Sequence, residues 1–391
     1  MNRRAHKSFR PSLEVLESRW TPTITPIDCN PDVAGNDGLL VLGTAGPDRV
    51  IVTDDPFADT ITVEHDVGNN GTIDFTETTS TLDYCVQADL GAGNDILVYN
   101  VQSDYSGHSK SLFVVLGTGN DRVTFNTNGF DITNSSEWII EIAESPSDQI
   151  VGGNDRVFLN FASQDDQGTN TSILNSAVSV TVELGAGQDE VTTNFDGDIG
   201  DNTGEADSGV DIAVSLGLQN DKFSGLFDLD FFDIFNDGEL AIRVDGGRHT
   251  DQIRLARNPM FLNSGPATLQ GRFEMVLQGG YGADTIEVAF DTSASGNDAF
   301  TSSSLGSIEL RVSGDDGVDN IQVRLSNDAS ATLNYDVIVR GGTGADSMGL
   351  SIVADAGSTV TFAPLGFALL DAGMGADSLL FNVGNVQRRS I

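Results

Sequence analysis

The chain has 391 residues and a formal charge of −38, from 58 acidic against 20 basic residues. Such acidity excludes nucleic acids and anionic membrane surfaces as partners, because both repel it. No apolar run is long enough to cross a bilayer as a helix, and the length suffices for a large or long stacked core.

Residues 1–25 differ from everything after them. Arg3, Arg4, Lys7, Arg10 and Arg19 are five of the 20 basic residues, and no apolar h-region follows them, so this is no ordinary secretory signal. The stretch from Phe9 to Pro22 contains Leu13-Glu14-Val15-Leu16-Glu17-Ser18-Arg19-Trp20-Thr21-Pro22. It resembles the N-terminal sorting motif of planctomycete surface and secreted proteins, and that resemblance implies export to the cell surface or extracellular space. Cys29 and Cys85 could bridge this region to the first repeats, although strand parity turns Cys85 outward and two free thiols are the expectation.

An insertion near residues 55–82 holds Asp66-Val67-Gly68-Asn69-Asn70-Gly71-Thr72-Ile73-Asp74-Phe75-Thr76-Glu77. Several places fit an EF-hand calcium loop, but Gly68 breaks the third ligand position and the flanks read as strands. A β-hairpin turning at Asn70-Gly71 is the expectation.

From here one phrase recurs: a glycine turn, an aspartate, then an apolar residue two positions on. The aspartates are Asp48, Asp95, Asp121, Asp155, Asp189, Asp221, Asp251, Asp284, Asp319, Asp346 and Asp377. Asp95 to Asp377 covers nine intervals averaging about 31 residues, the range of solenoids and arrays. Strands flank each turn. Val178, Val180 and Val182 alternate with polar residues ahead of one turn, and Ile286, Val288 and Phe290 do so behind another. A helix is excluded by the spacing of two and the β-branched residues. One repeat cannot bury its own apolar face, whereas stacked repeats share a core. The expected fold is therefore an all-β parallel β-solenoid, β-roll or β-helix-like, with two main strands per coil over residues 26–385 and a tail at 386–391. Stacking about 4.8 Å per coil gives a rod of about 50 Å. The acidic stretch Asp196–Asp211 reads as a loop.

The turn resembles the repeats-in-toxin (haemolysin-type) calcium-binding nonapeptide, Gly-Gly-x-Gly-x-Asp-x-U-x. The best matches are residues 279–287, 341–349 and 372–380. The resemblance implies calcium held between successive coils by turn carbonyls and the aspartate carboxylate. Asp95, Asp121, Asp189, Asp284, Asp319, Asp346 and Asp377, with Gly93, Gly119, Gly279 and Gly341, are the implied metal residues. The chain departs from the family in having one nonapeptide per coil. Leu90, Leu116, Leu184 and Leu216 replace the first glycine, and Gln219 and His249 stand where a glycine is expected. The chemistry is coherent. Calcium takes six to eight hard oxygens, glycine turns carbonyls toward an ion, and a column of carboxylates repels itself without a cation. A metal-free alternative is a ladder in which each aspartate caps a neighbouring amide.

Catalytic signals are scarce. His6, His65, His108 and His249 show no metal-ligand or dyad spacing, and no nucleophile elbow or phosphate loop is present. The enzyme alternative is a polysaccharide lyase or hydrolase on a β-helix. Arg243, Arg254, Arg272, Arg311, Arg324 and Arg340 would then stripe one face toward an acidic glycan. The preferred reading is an exported calcium-binding structural or adhesive surface protein, with calcium and cell-surface polysaccharide or matrix as partners.

Overall fold

The structure, a computed structural model, describes residues 23–27, 38–80, 84–144, 152–162, 172–200, 208–227, 233–235, 238–257, 268–290, 306–327, 333–354 and 368–383. The proposed sorting motif, Cys29 and the C-terminal tail lie outside them.

Among the described residues the chain is an all-β solenoid of eleven coils. Each coil gives one strand ahead of its glycine turn to a 12-stranded sheet and one strand behind it to a 13-stranded sheet. In the third coil these are Ser109–Val115 and Arg122–Asn126. Ser109–Val115 pairs in parallel with Glu137–Ala143, which pairs in parallel with Ala177–Glu183. Register is strict. Val123 stands beside Val157, Val157 beside Val191, and Val191 beside Phe223.

Parity follows the sequence because each strand has one face on the shared core. Val178, Val180 and Val182 are buried, as are Ile308, Leu310, Val312, Ile286, Val288 and Phe290. The apolar residue two places after each seam aspartate is buried from Val50 to Met348, but Leu379 in the last coil is half exposed. Aromatic rings stack along the axis: Phe161 on Phe195 with centroids 5.4 Å apart, and Phe195 on Phe227 at 5.2 Å. On the trailing sheet Asn100, Asn126, Asn160 and Asn194 form a side-chain ladder with bonds of 2.9, 2.7 and 2.6 Å.

Three features differ from the sequence reading. A short third face lies in the connections. It runs from Tyr105–Ser106 through Ile132–Thr133 and Ile173–Leu174 to bridges at Ile199, Ile234 and Leu269. Its apolar residues close the core's open side. The stretch Asp196–Asp211 is only partly loop, because Ile199 joins that face and the strand Ser208–Ser215 starts inside the stretch. Cys85 keeps its outward parity, on the same face as Gln87 and outside the core cluster, but it is buried there and is disulfide-bonded rather than a free thiol.

The insertion forms the expected hairpin. Thr60–Val67 pairs antiparallel with Phe75–Ser80 and, on its other side, with Asp48–Asp55. Asp66 spends its carboxylate on the amides of Asn70, at 3.0 Å, and Gly71, at 2.7 Å. With Thr23–Ile27 antiparallel to Gly38–Leu42, it covers the first coil's strand edges in both sheets. Covered edges do not template pairing with other chains.

Phe195 sits at the middle of the ring stack. Phe195→Ala should cost about 3–5 kcal/mol, as for a large core truncation, read as a lowered denaturant midpoint with the β-sheet circular dichroism retained below it.

Candidate functional site

The glycine turns place every repeated aspartate on one seam. Each is buried, except that Asp377 at the end is half-buried. The backbone N–H of each donates to Oδ1 of the aspartate in the next coil. Asp95 N–H donates to Asp121 at 2.7 Å, Asp189 to Asp221 at 2.8 Å, and Asp319 to Asp346 at 2.9 Å. The chain of ten links runs unbroken from Asp48 to Asp377. At the start of the seam, Gly68 of the hairpin donates to Asp48 Oδ1 at 3.2 Å, taking the place of a preceding coil. The seam includes Asp155, Asp221 and Asp251, which the nonapeptide match had left aside because their turns are degenerate. Gln219 and His249 still adopt φ of 85° and 80°, so the stack imposes the glycine conformation on them.

The turns also pair with one another. Thr118 N–H donates to Gly91 O at 2.9 Å, Tyr281 to Gly247 O at 2.9 Å, and Met374 to Gly342 O at 2.8 Å. Close approach explains the glycine two places before the aspartate. A Cβ on Gly119 would overlap the carbonyl of Gly93 in the coil before, and one on Gly93 would press on Gly46. Asn94, Asn120 and Asn154 add a second ladder beside the seam, accepting from the amides of Asn120, Asn154 and Gln188.

The second carboxylate oxygen is different. Among the described residues, Oδ2 of Asp95, Asp121, Asp155, Asp189, Asp221, Asp251, Asp284, Asp319 and Asp346 is buried without a hydrogen-bond partner. Burial disfavours the charged form. It pushes Asp95 and Asp221 up to about 8, and Asp121, Asp189, Asp251 and Asp319 up to about 7, against a partial lowering by the amide each accepts. Asp155 and Asp284 are raised for the same reason.

The turns fall into two kinds at the position five before the aspartate. Leu90, Leu116, Leu184 and Leu216 fill it with buried side chains. Glu144 takes the same place ahead of Asp155: its N–H bonds the next coil as Leu116 and Leu184 do, and its carboxyl lies beside Gly152 in that turn. Glycine occupies it at Gly246, Gly279, Gly314 and Gly341, and also at Gly43 in the first turn, while Ala372 stands there in the last. A side chain on Gly279, Gly314 or Gly341 would lie within 3.0 Å of both the coil's own aspartate Oδ2 and the carbonyl of the next coil. These notches gather one unpartnered carboxylate oxygen and one carbonyl oxygen apiece.

That donor set suits a hard cation such as calcium in the later turns. Among the described residues, no three acidic, His or Cys side chains gather around one point. A cation there would therefore have to draw on backbone carbonyls and water as well. In the turns before Asp95, Asp121, Asp155, Asp189 and Asp221 a leucine or glutamate side chain takes the notch position.

Of the six arginines, Arg243, Arg254, Arg272, Arg311 and Arg324 are ion-paired within the sheets, and Arg340 has no ion pair among the described residues. Arg272 pairs with Glu274 at 2.6 Å and Glu309 at 2.8 Å, Arg254 with Glu287 at 3.0 Å, and Arg311 with Asp336 at 2.6 Å. Arg243 pairs with Asp211 and Glu274, and Arg324 with Glu287. Charges matched by cross-strand partners are not free to receive an anionic glycan. The dent around Ala213 on the 12-stranded sheet is shallow and mostly apolar. No helix among the described residues is long and apolar enough to cross a membrane. No protein-family model, no curated protein and no solved structure matches this chain.

An acid whose folded pKa is raised binds more protons folded than unfolded between the two values. The seam's contribution is therefore complete below pH 4 and is lost as pH rises through about 7 to 8. Without divalent cations the melting temperature should decline from pH 5 to pH 8.5 by this contribution, measured by differential scanning calorimetry. Asp189→Asn keeps the acceptor for the Asp155 amide and should flatten the decline. Asp189→Ala orphans that amide and should cost about 1–3 kcal/mol at every pH.

Proposed function

We propose that this chain is an exported structural or adhesive rod of the cell surface or extracellular space, which takes calcium into the later part of its seam. The observation behind this reading is the file of nine buried carboxylate oxygens without a partner. An ionised carboxylate buried in that way needs a proton or a cation. Where burial holds the pKa at about 7, as at Asp251 and Asp319, the proton leaves above neutral pH, and a divalent ion is the natural replacement beside hard oxygens.

In this reading Asp284, Asp319 and Asp346, with the notches at Gly279, Gly314 and Gly341 and a neighbouring one at Gly246, hold the ion. Asp95, Asp121 and Asp189, with Gly93 and Gly119, build the amide ladder that keeps the coils in register. Asp377 ends that ladder. The protein's own work is to fix the oxygens, exclude bulk water and hold each Oδ1 on an amide so that Oδ2 faces the notch. Calcium would supply charge neutralisation and tie each coil to the next, which stiffens the rod. Export is supported by the resemblance of the N-terminal segment to a surface-protein sorting motif. It is also supported by the disulfide at Cys85, since such bonds persist in oxidising compartments. Cell-surface polysaccharide or matrix is the partner that this reading of an exported rod implies.

The test is thermal unfolding at pH 8, in chelator and then in millimolar calcium. Free ion at tenfold Kd contributes about 1.4 kcal/mol per site, so several sites should raise the melting temperature by several degrees. Gly314→Ala, which pushes a methyl group toward Asp319 Oδ2, should shrink that shift, while Gly71→Ala, in open space, should leave it. An unchanged melting curve in calcium would remove the metal and leave the proton-dependent ladder.

A further inference from the structure

Two charged residues occupy core positions near the first coils. Lys110 stands in the interior column of the 12-stranded sheet, beside Tyr84 on one side and Trp138 on the other. The same column continues as Val178 and Val210. Asp54 faces it from the 13-stranded sheet, at a position paired with Val101. Both are almost fully buried, and Lys110 Nζ lies 3.9 Å from Asp54 Oδ1. Around them are aromatic walls. Nζ lies 5.2 Å from the ring centre of Tyr105 and 5.7 Å from that of Tyr84, and Trp138 packs edge-on against Tyr105 at 4.7 Å.

A buried ion pair of this kind is a poor source of stability. Removing both charges from water costs more than an apolar pair of similar size would. The surroundings favour the neutral forms instead. Burial pushes the Asp54 carboxyl up, against the opposing effects of Lys110 and the two tyrosine hydroxyls, and a proton passed from Nζ to that carboxyl leaves both groups uncharged. The hydrogen bonds to Asp54 are one-sided. The hydroxyls of Tyr99, at 2.5 Å, and of Tyr105 both donate to Oδ2, while Oδ1, the oxygen nearer Nζ, accepts no hydrogen bond.

We infer that Lys110 and Asp54 join in an intramolecular amide bond, a covalent brace between the first and third coils. The neutral amine of Lys110 attacks Cγ of the protonated Asp54 carboxyl. As the C–N bond forms, negative charge develops on Oδ2, where the two tyrosine hydroxyls already point; donors placed at a developing oxyanion are the strongest form of electrostatic assistance. The Cγ–Oδ1 bond then breaks, and Oδ1 departs as water with a proton from the nitrogen. Amine and acid become amide and water, with no oxidant, reductant or activating co-reactant. Holding the two groups against each other in a dry pocket supplies the effective concentration that the reaction lacks in solution. The product is neutral, which removes the cost of the buried charges, and it closes the first coils at the place where the hairpin insertion leaves the stack.

This inference is independent of calcium. The test is mass spectrometry of the purified, reduced full-length chain, followed by tryptic mapping. The expected result is an intact mass below the sequence mass by one water, a branched peptide joining the Asp54 and Lys110 segments, and no cleavage after Lys110. Lys110→Ala and Asp54→Ala should each restore the full mass. Recovery of separate, linear peptides with cleavage after Lys110 from the folded wild-type chain would overturn the inference whether or not the variants fold.

Discussion

The bond from each seam aspartate's amide to the carboxylate of the next aspartate is the constraint on which the rest of the fold rests. The coils differ greatly in length, with 26 residues between one linked pair and 35 between another. Those differences are absorbed in the connections, and the ladder resets the register at every turn. An aspartate side chain reaches one coil spacing with a short, charge-assisted bond. Strand pairing alone would tolerate a slip, but a slip of one residue would reverse every inward and outward side chain. A polar seam thus protects an apolar core.

The same bond creates the protein's electrostatic tension. It uses one oxygen and buries the other. In the earlier coils leucine packs over that region, and at Glu144 a second carboxyl joins it; in the later coils glycine leaves a notch instead. One ladder therefore carries two kinds of turn: those filled by a leucine or glutamate side chain and those where glycine leaves a notch beside the second carboxylate oxygen. On the outer faces arginines of neighbouring strands meet glutamates and aspartates of the adjacent coil.

The two ends are built unequally. Antiparallel strands cover the first coil, Cys85 is tied in a disulfide nearby, and Asp54, Tyr99, Tyr105 and Lys110 meet in the core beneath. In the last coil Leu379, Leu380 and Phe381 remain half or more exposed. Reinforcement at one end suits a stack in which each coil contacts only its neighbours, because unravelling of such an array starts at an end.

The sequence by itself determined the period, the two strands of each coil, their inward faces and the aspartate seam. These are local properties: alternation and a glycine turn are written within one stretch of a dozen residues. It did not reveal the third face, because single residues such as Ile132 or Ile199 in a polar connection carry no period. Nor did it reveal that Glu144 replaces a leucine, because the residues between it and Asp155 shift it out of the repeat's numbering. Which oxygen of each aspartate is satisfied, which arginine is neutralised and which lysine meets an aspartate in the core were decided only by the tertiary structure. Each depends on the coil that lies above or below, and that neighbour is brought close by stacking rather than by position along the chain.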